Sequence, residues 1–378
     1  MLSYWEYESF FKEIDVAIIG SGIVGLNAAI TLKEQQPELR VAIIERGFLP
    51  YGASTRNAGF ACFGSLTELL DDLEYAREDE VLALVERRWR GLQRLRERVG
   101  DSALRYQQLG GMEVFKAEEN DIAQRCLEAM PYFNDKIGHL LSQKNIYENI
   151  AKNEVQQFDF QGIRTIIKNN AEGQIHTGEM MRTLLNMAYA KNILFLNGLT
   201  IKQIHDENDT VILTSDLGWH FSVRKVLVCT NGFAKQIIPH LAVQAARNQV
   251  IITKPIPDLK VKGCFHYDRG YFYFRNIDGR VLLGGGRNLD TANEATSEFG
   301  TTAIIQNALR DLLEQVILPK QKNIEIEHVW SGIMGLGDVK KPIIELLSPN
   351  VGVAVRMGGM GVAIGSLVGE EGAKMMRF

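Results

Sequence analysis

The chain has 378 residues, 46% hydrophobic and 23% charged, with a formal net charge of −4. Those proportions are those of an ordinary globular protein; they exclude a low-complexity or collagen-like chain, and the charge supplies no global basic surface for nucleic acid. The length exceeds one compact core of usual size and points to two domains.

The N-terminal stretch MLSYWEYESFFKEID carries acidic residues where a signal peptide needs a basic start and an apolar centre, and no segment offers ~18 apolar residues in a row. A soluble, cytoplasmic protein without a membrane partner is expected. Tyr4, Trp5, Tyr7, Phe10 and Phe11 suggest a short amphipathic helix docked on the body. Cys62, Cys126, Cys229 and Cys264 are isolated, with neither C-x-x-C pairing nor metal-ligand spacing, so reduced thiols and no metal site are expected.

From Asp15 the sequence DVAIIGSGIVGLNAA reads as strand, tight turn and helix. Apolar Val16 to Ile19 run into Gly20, Gly22 and Gly25 at G-x-G-x-x-G spacing, and a helix-forming run follows at Leu26. Gly20 permits the sharp exit from the strand, Gly22 lets a pyrophosphate approach the backbone, and Gly25 lets the helix pack closely. Helix N-terminal amides then face two negative phosphates. A second apolar run, Val41 to Ile44, ends in Glu45, about twenty residues beyond Gly25, where a carboxylate accepts ribose hydroxyls. Together these features predict dinucleotide binding; the motif alone leaves NAD and FAD open.

Gly47 to Ser65 is glycine-rich, and Arg56 is its one charged residue, so it reads as a loop wrapped around a ligand. Helical periodicity follows over 66–75 and 79–99, with Gly100 as a stop; 109–117 reads as a strand and 118–141 as a helix with a possible break at Pro131. A second domain begins about here. Residues 174–190 read as a helix, 192–198, 201–205 and 210–214 as strands, and 223–229 as a strand ending at Thr230, Asn231 and Gly232. That small-residue ending resembles the second place where a dinucleotide fold touches its cofactor. Short strands at 250–253, 263–267, 271–275 and 280–284, with an Asp278-Gly279 turn, give an antiparallel signature. A helix at 302–316 and a strand at 324–330 precede the closing strand 351–355, which runs into Gly358, Gly359 and Gly361 and a small-residue helix.

The combination of IIGSGIVGLNAA, IIERG, GASTRNAG, VCTNGFA, YFYFRNIDGRVLLGGGR and MGGMGVAIGSLVG resembles the FAD-dependent amine and amino-acid oxidoreductases of the D-amino-acid oxidase and glycine oxidase superfamily over nearly the whole chain. The pieces FYFR, RVLLGGGR and GASTRNAG are most similar to its γ-glutamylputrescine oxidoreductase branch. The resemblance implies an α/β fold: a discontinuous Rossmann-like FAD-binding domain over 1–103, 172–240 and 325–378, and an α+β substrate domain over 104–171 and 241–324 built on a mixed, largely antiparallel sheet.

It also implies FAD as cofactor. Gly20, Gly22, Ile23, Val24 and Gly25 would hold the pyrophosphate, Glu45 and Arg46 the adenosine ribose, and Ser54, Thr55, Arg56, Asn57 and Ala58 the phosphates and the isoalloxazine edge. Ile201 would meet adenine, Thr230, Asn231 and Gly232 would flank the cofactor, and Gly332, Gly358, Gly359, Met360, Gly361 and Val362 would lie beside the flavin. Glycine oxidase-like members carry, after the W-x-G strand, an arginine that grips a substrate carboxylate, whereas this chain has Trp330, Ser331, Gly332, Ile333 and Met334; Leu282 stands where sarcosine oxidase-like members carry a lysine. No cysteine stands in the W-S-G region that attaches flavin covalently in the latter, so noncovalent FAD is expected.

Arg275, among aromatics on a strand over the flavin, is expected to bind an anionic substrate group or to pair with a domain carboxylate, with Tyr271 and Tyr273 sharing its face. The implied activity is oxidation of a C–N bond in a small amine or amino acid by hydride transfer to flavin N5, followed by imine hydrolysis. A 2-hydroxy-acid dehydrogenase on the same scaffold and a noncatalytic flavin-binding protein are the alternatives. The sequence leaves the oligomeric state open.

Overall fold

The computed structural model describes residues 2–378. Two eight-stranded sheets organise it. The first runs Ile343–Ser348, Val351–Val355, His220–Val228, Ile14–Ile19, Val41–Glu45 and Leu194–Asn197, with the hairpin of Ile201–Asp206 and Val211–Ser215 joined to His220–Val228. Its four central pairings are parallel, as crossover connections require, and the register sets Ile19 beside both Val228 and Ile44. The carboxyl ends of these strands therefore finish at one edge, and the Gly20 turn, Glu45 and Cys229 arrive there together.

Both faces of this sheet are covered, which explains its near-continuous apolar strands. The helices Ile23–Gln35, Glu78–Val99 and Gly361–Met375 pack on one side through Leu26, Ile30, Leu92, Ile364 and Val368. Their close approach depends on glycine: a Cβ at Gly91 would stand 2.3 Å from the Ala363 carbonyl, and one at Gly369 would stand 2.6 Å from the Val24 carbonyl. The antiparallel hairpin side packs through Val211, Leu213 and Phe221.

The second sheet runs Ile326–Leu336, Gln244–Thr253, Arg280–Gly285, Phe272–Ile277, Cys264–Tyr267, Gly111–Lys116, Ile163–Asn169 and Tyr147–Asn149. Cys264–Tyr267 lies parallel to Gly111–Lys116, and the other pairings are antiparallel. The Asp278-Gly279 turn has φ of 47° and 72°, the left-handed pair that a tight hairpin between right-twisted strands needs.

Several elements differ from the sequence reading. Asn120–Leu141 runs as one helix through Pro131, held on a core of Ala123, Cys126, Phe133 and Ile137. Ile326–Leu336 extends past Trp330 and pairs with Gln244–Thr253 in the second sheet, although the boundary at 325 groups it with the first. Of the five N-terminal aromatics Phe11 is the buried one, against Phe221 and Trp219 at 4.9 and 5.8 Å, while Tyr4 and Trp5 are 67% and 75% exposed. Ile163–Asn169 and Ile343–Ser348 are strands in segments where no strand was expected. None of the helices among the described residues is long and apolar enough to cross a membrane.

Candidate active site

A single cavity of about 930 Å³ runs from the Gly20 turn, along the carboxyl edge of the first sheet, to the inner face of the second sheet. It lies near the upper end of the ~300–1,000 Å³ usual for small-molecule sites. Gly20, Gly22, Ile23, Val24, Glu45, Arg46, Ser54, Arg56, Asn57, Ala58, Ile201, Thr230, Asn231, Gly332, Gly358, Gly359, Met360, Gly361 and Val362 all line it, with Tyr271 and Tyr273 at its far end.

At the entrance turn the Ser54 hydroxyl accepts from the Ile23 amide at 2.9 Å, placing an exchangeable polar group at the N-terminus of the helix Ile23–Gln35. Glu45 Oε2 accepts from Ser21 N and Oγ at 3.0 and 2.7 Å, and its Oε1 accepts from Gly47 N at 3.0 Å. The carboxylate is thereby fixed at the strand end with lone pairs to spare. Arg46 lies over the Phe233 ring at 3.7 Å, and its Nη2, like Thr230 Oγ1, is buried without a hydrogen-bond partner.

The loop that follows is held by its own side chains. Arg56 lies over the edge-to-face pair of Tyr51 and Phe299, 4.4 Å from each ring centroid, and donates to the Ser331 carbonyl at 2.9 Å; Trp330 Nε1 donates back to the Arg56 carbonyl at 3.0 Å. Asn57 Oδ1 accepts from Gly59 N and Thr177 Oγ1, while its Nδ2 donates to the carbonyls of Ser54 and Ala53. At the closing turn Asn231, with φ of 47°, accepts from the amides of Arg356 and Met357 at 3.1 Å each. One side chain thus joins the two strand ends that border the cavity. Gly358 and Gly359 take φ of 58° and 83°, and the helix Gly361–Met375 then starts with its N-terminus on the cavity.

Four expected residues stand outside the cavity lining. Gly25 packs the helix on the turn, where a Cβ would stand 2.0 Å from the Gly20 carbonyl. Gly232 lets the backbone approach the next strand, 2.5 Å from the Met334 carbonyl by the same measure. Thr55 turns outward and donates to the Pro50 carbonyl at 2.9 Å. Arg275 neither faces the cavity nor pairs with a carboxylate: it is 2% exposed, and its Nη1 donates to the carbonyls of Ile175, Gly59 and Ala58 at 2.7, 2.9 and 3.1 Å. The loop 58–59 covers this part of the strand, so the guanidinium braces the loop from behind.

Other side chains at the far end carry the polar chemistry. Asn248, on a strand segment that the sequence reading left out, donates to the Tyr273 hydroxyl at 3.3 Å, and its Oδ1 is buried and unpartnered. Arg287 is half-buried on the cavity wall, and among the described residues no ion pair or hydrogen bond engages its guanidinium; Thr291 Oγ1 donates only to its backbone carbonyl. His266 packs edge-on against Phe60 at 5.3 Å, and burial pushes its imidazole down to about 4, so it is neutral at ordinary pH. Burial also pushes the Tyr273 phenol up and keeps it protonated. Glu68 sits at the outer wall: burial works to raise its carboxyl, but Arg88 at 3.1 Å and Lys340 at 2.9 Å outweigh it and hold it at about 2.

Residues 15–375 match the family described as DAO, FAD dependent oxidoreductase. A curated relative, the probable oxidoreductase OrdL of Rhizobium meliloti, is 26% identical over 389 residues, covering 96% of this chain and 83% of its own. Among solved structures, glycine oxidase from Geobacillus kaustophilus superposes with a TM-score of 0.77 at 20% identity, covering 96% of this chain and 94% of its own. L-Proline dehydrogenase from P. horikoshii superposes with a TM-score of 0.74 at 18% identity, covering 97% and 93%.

Proposed function

The chain belongs to the DAO family of FAD-dependent oxidoreductases, and from that premise we propose that it oxidises the C–N bond of a small amino acid and holds its FAD noncovalently. The fit to the cofactor rests on the cavity itself. Arg46 Nη2 and Thr230 Oγ1 are buried orphans on its wall, and a Cβ at Gly52 or Gly358 would meet no protein atom within 4 Å. Gly20, Gly22 and the N-terminus of Ile23–Gln35 would take the pyrophosphate, Glu45 the ribose, and the Gly358–Gly361 turn the electron-rich edge of the ring system. Cys62 and Cys229, the two cysteines on the wall, have thiols that burial pushes up, which leaves neither as a ready nucleophile for covalent attachment.

The bound cofactor supplies a two-electron acceptor for the hydride on the carbon that bears nitrogen. The protein supplies position and charge. Arg287 offers an unpaired guanidinium to a carboxylate, and Asn248 Oδ1 accepts from the amine. Tyr273 donates through a hydroxyl that stays protonated. Tyr271, Met334 and Leu336 complete the wall and limit water around the reacting carbon. The imine that forms is hydrolysed once it meets water.

The single observation that carries the reading is the unpaired Arg287 on the same cavity as the glycine turns. The names glycine oxidase and L-proline dehydrogenase, borne by neighbours of the same fold, support an amino acid as substrate. Product analysis tests it: an amino-acid panel should release ammonia or a shorter amine with an oxo acid. Arg287→Met should raise KM at least tenfold for carboxylate-bearing substrates while leaving simple amines unchanged. Turnover of 2-hydroxy acids without turnover of any amino acid would replace this reading with the C–O dehydrogenase.

A further inference from the structure

Three chemically matched side chains, far apart in sequence, meet where the cavity wall touches the second sheet. The sulfur of Cys62, a carboxylate oxygen of Glu172 and a ring nitrogen of His266 lie within 4.8 Å of one another. Strand pairing brings the first two together: Phe60 and Ala61 pair antiparallel with Gln174 and Gly173, so the next step of the register sets Cys62 against Glu172. His266 comes from Cys264–Tyr267 alongside.

We propose that Cys62, Glu172 and His266 form a binding site for one divalent metal ion of the borderline class, with Zn2+ as the fitting ion. Thiolate, imidazole and carboxylate are the donors that Zn2+ takes, whereas Mg2+ and Ca2+ call for an all-oxygen shell. Two anionic donors and one neutral donor balance the 2+ charge, which a buried site requires. On binding, the S–H bond of Cys62 is replaced by a sulfur–metal bond and its proton leaves to solvent, as does the proton that burial retains on Glu172 in part of the molecules; nothing is oxidised or reduced.

The surroundings suit this use. Glu172 Oε1 accepts from Phe63 N and Gly64 N at 2.6 and 2.9 Å, which holds the carboxylate in place. Its Oε2 sits against Gly111, where a Cβ would stand 1.9 Å away, so glycine alone admits it. His266 makes no hydrogen bond among the described residues, so its ring can turn without breaking one. Bond lengths of ~2.0–2.3 Å place tetrahedral ligand atoms roughly 3.3–3.8 Å apart, a contraction within reach of side-chain rotation. Cys62 and His266 both line the cavity, so the fourth position opens onto it, as in sites that keep a water ligand.

Cys62 and His266 line the cavity of the proposed function, so the test reads metal uptake and ligation instead of turnover, and its failure is distinguishable from failure of the substrate reading. The test uses the flavin-loaded full chain, stripped with a chelator and titrated with Zn2+ alone, with metal content, calorimetry and Zn X-ray absorption as readouts. The expected result is one ion per chain with one sulfur at ~2.3 Å, and affinity lower by at least tenfold in both Cys62→Ser and His266→Gln. Cys126→Ser should bind as the parent does. If Cys62→Ser does not fold, His266→Gln, which replaces a ring without hydrogen bonds, carries the comparison. Absence of stoichiometric uptake, or uptake unchanged in the folded ligand variants, would overturn the site.

Discussion

Arg275 and Gly59 are matched to each other: the guanidinium Nη1 donates to the Gly59 carbonyl at 2.9 Å, and a Cβ on residue 59 would stand 2.6 Å from that same nitrogen. Gly59 also takes φ of 75°, where a side chain would be strained. Arg275 is engaged by four backbone carbonyls, Asn276 and Ile175 beside it and Ala58 and Gly59 of the loop along the cavity.

Removing Arg275 should act on the loop and leave substrate recognition alone. Arg275→Met takes their side-chain donor from the Ile175 and Ala58 carbonyls and leaves the Gly59 carbonyl with the Ile175 amide alone, and should cost ~2–4 kcal/mol of stability, with weaker FAD retention. Arg275→Lys should recover only part of this, because an ammonium lacks the planar fork. Thermal unfolding and FAD titration check both. A variant with unchanged stability and a raised substrate KM would mean that Arg275 meets the substrate after all.

Two glycines separate folding from cofactor binding. Gly25→Ala drives a methyl into the Gly20 carbonyl at 2.0 Å and should abolish folded protein. Gly52 has φ of −112°, lines the cavity and has open space at its Cβ, so Gly52→Val should fold with an unchanged apoprotein melting temperature yet bind FAD at least tenfold more weakly. Melting curves with and without FAD decide this; equal FAD affinity in Gly52→Val would remove that part of the cavity from the cofactor path.

The glycine turns were legible because a short motif must carry its conformation locally: Gly20, Gly22 and Gly25 follow their strand directly, and Gly358, Gly359 and Gly361 follow theirs. The fate of Arg275 was not. Alternation puts Tyr271, Tyr273 and Arg275 on one face, and it is the distant loop 58–59 that covers the last of them and leaves the first two on the cavity. Asn248 is not legible in the sequence because QAARNQ lacks a strand pattern of its own and gains its place by pairing with Gly332. Cys62, Glu172 and His266 are joined only by strand register, which spacing along the chain does not reveal.

Glu68 sets an acid-side limit on stability. Its folded carboxyl, at about 2, lies below the ordinary 4.5, so the stabilisation from Arg88 and Lys340 is fully present above pH ~4.5 and is lost as pH falls towards 2. Glu68→Gln should be less stable than the parent by ~1–3 kcal/mol at pH 7, with the gap narrowing as pH falls from 4.5 towards about 2. Denaturant unfolding across that range gives the answer; a gap independent of pH would place the stabilisation elsewhere.

The central claim is that one cavity joins a FAD site to an amino-acid site. Its most direct test is the visible absorption spectrum of the purified, FAD-loaded protein under anaerobic conditions, recorded while an amine and amino-acid panel is added, with the acid-released cofactor identified. The expected result is acid-releasable FAD and a flavin band that bleaches with a carboxylate-bearing amine, at one equivalent of substrate per flavin. A flavin band that no amine or amino acid bleaches, or a protein that neither carries nor takes up FAD, would contradict it.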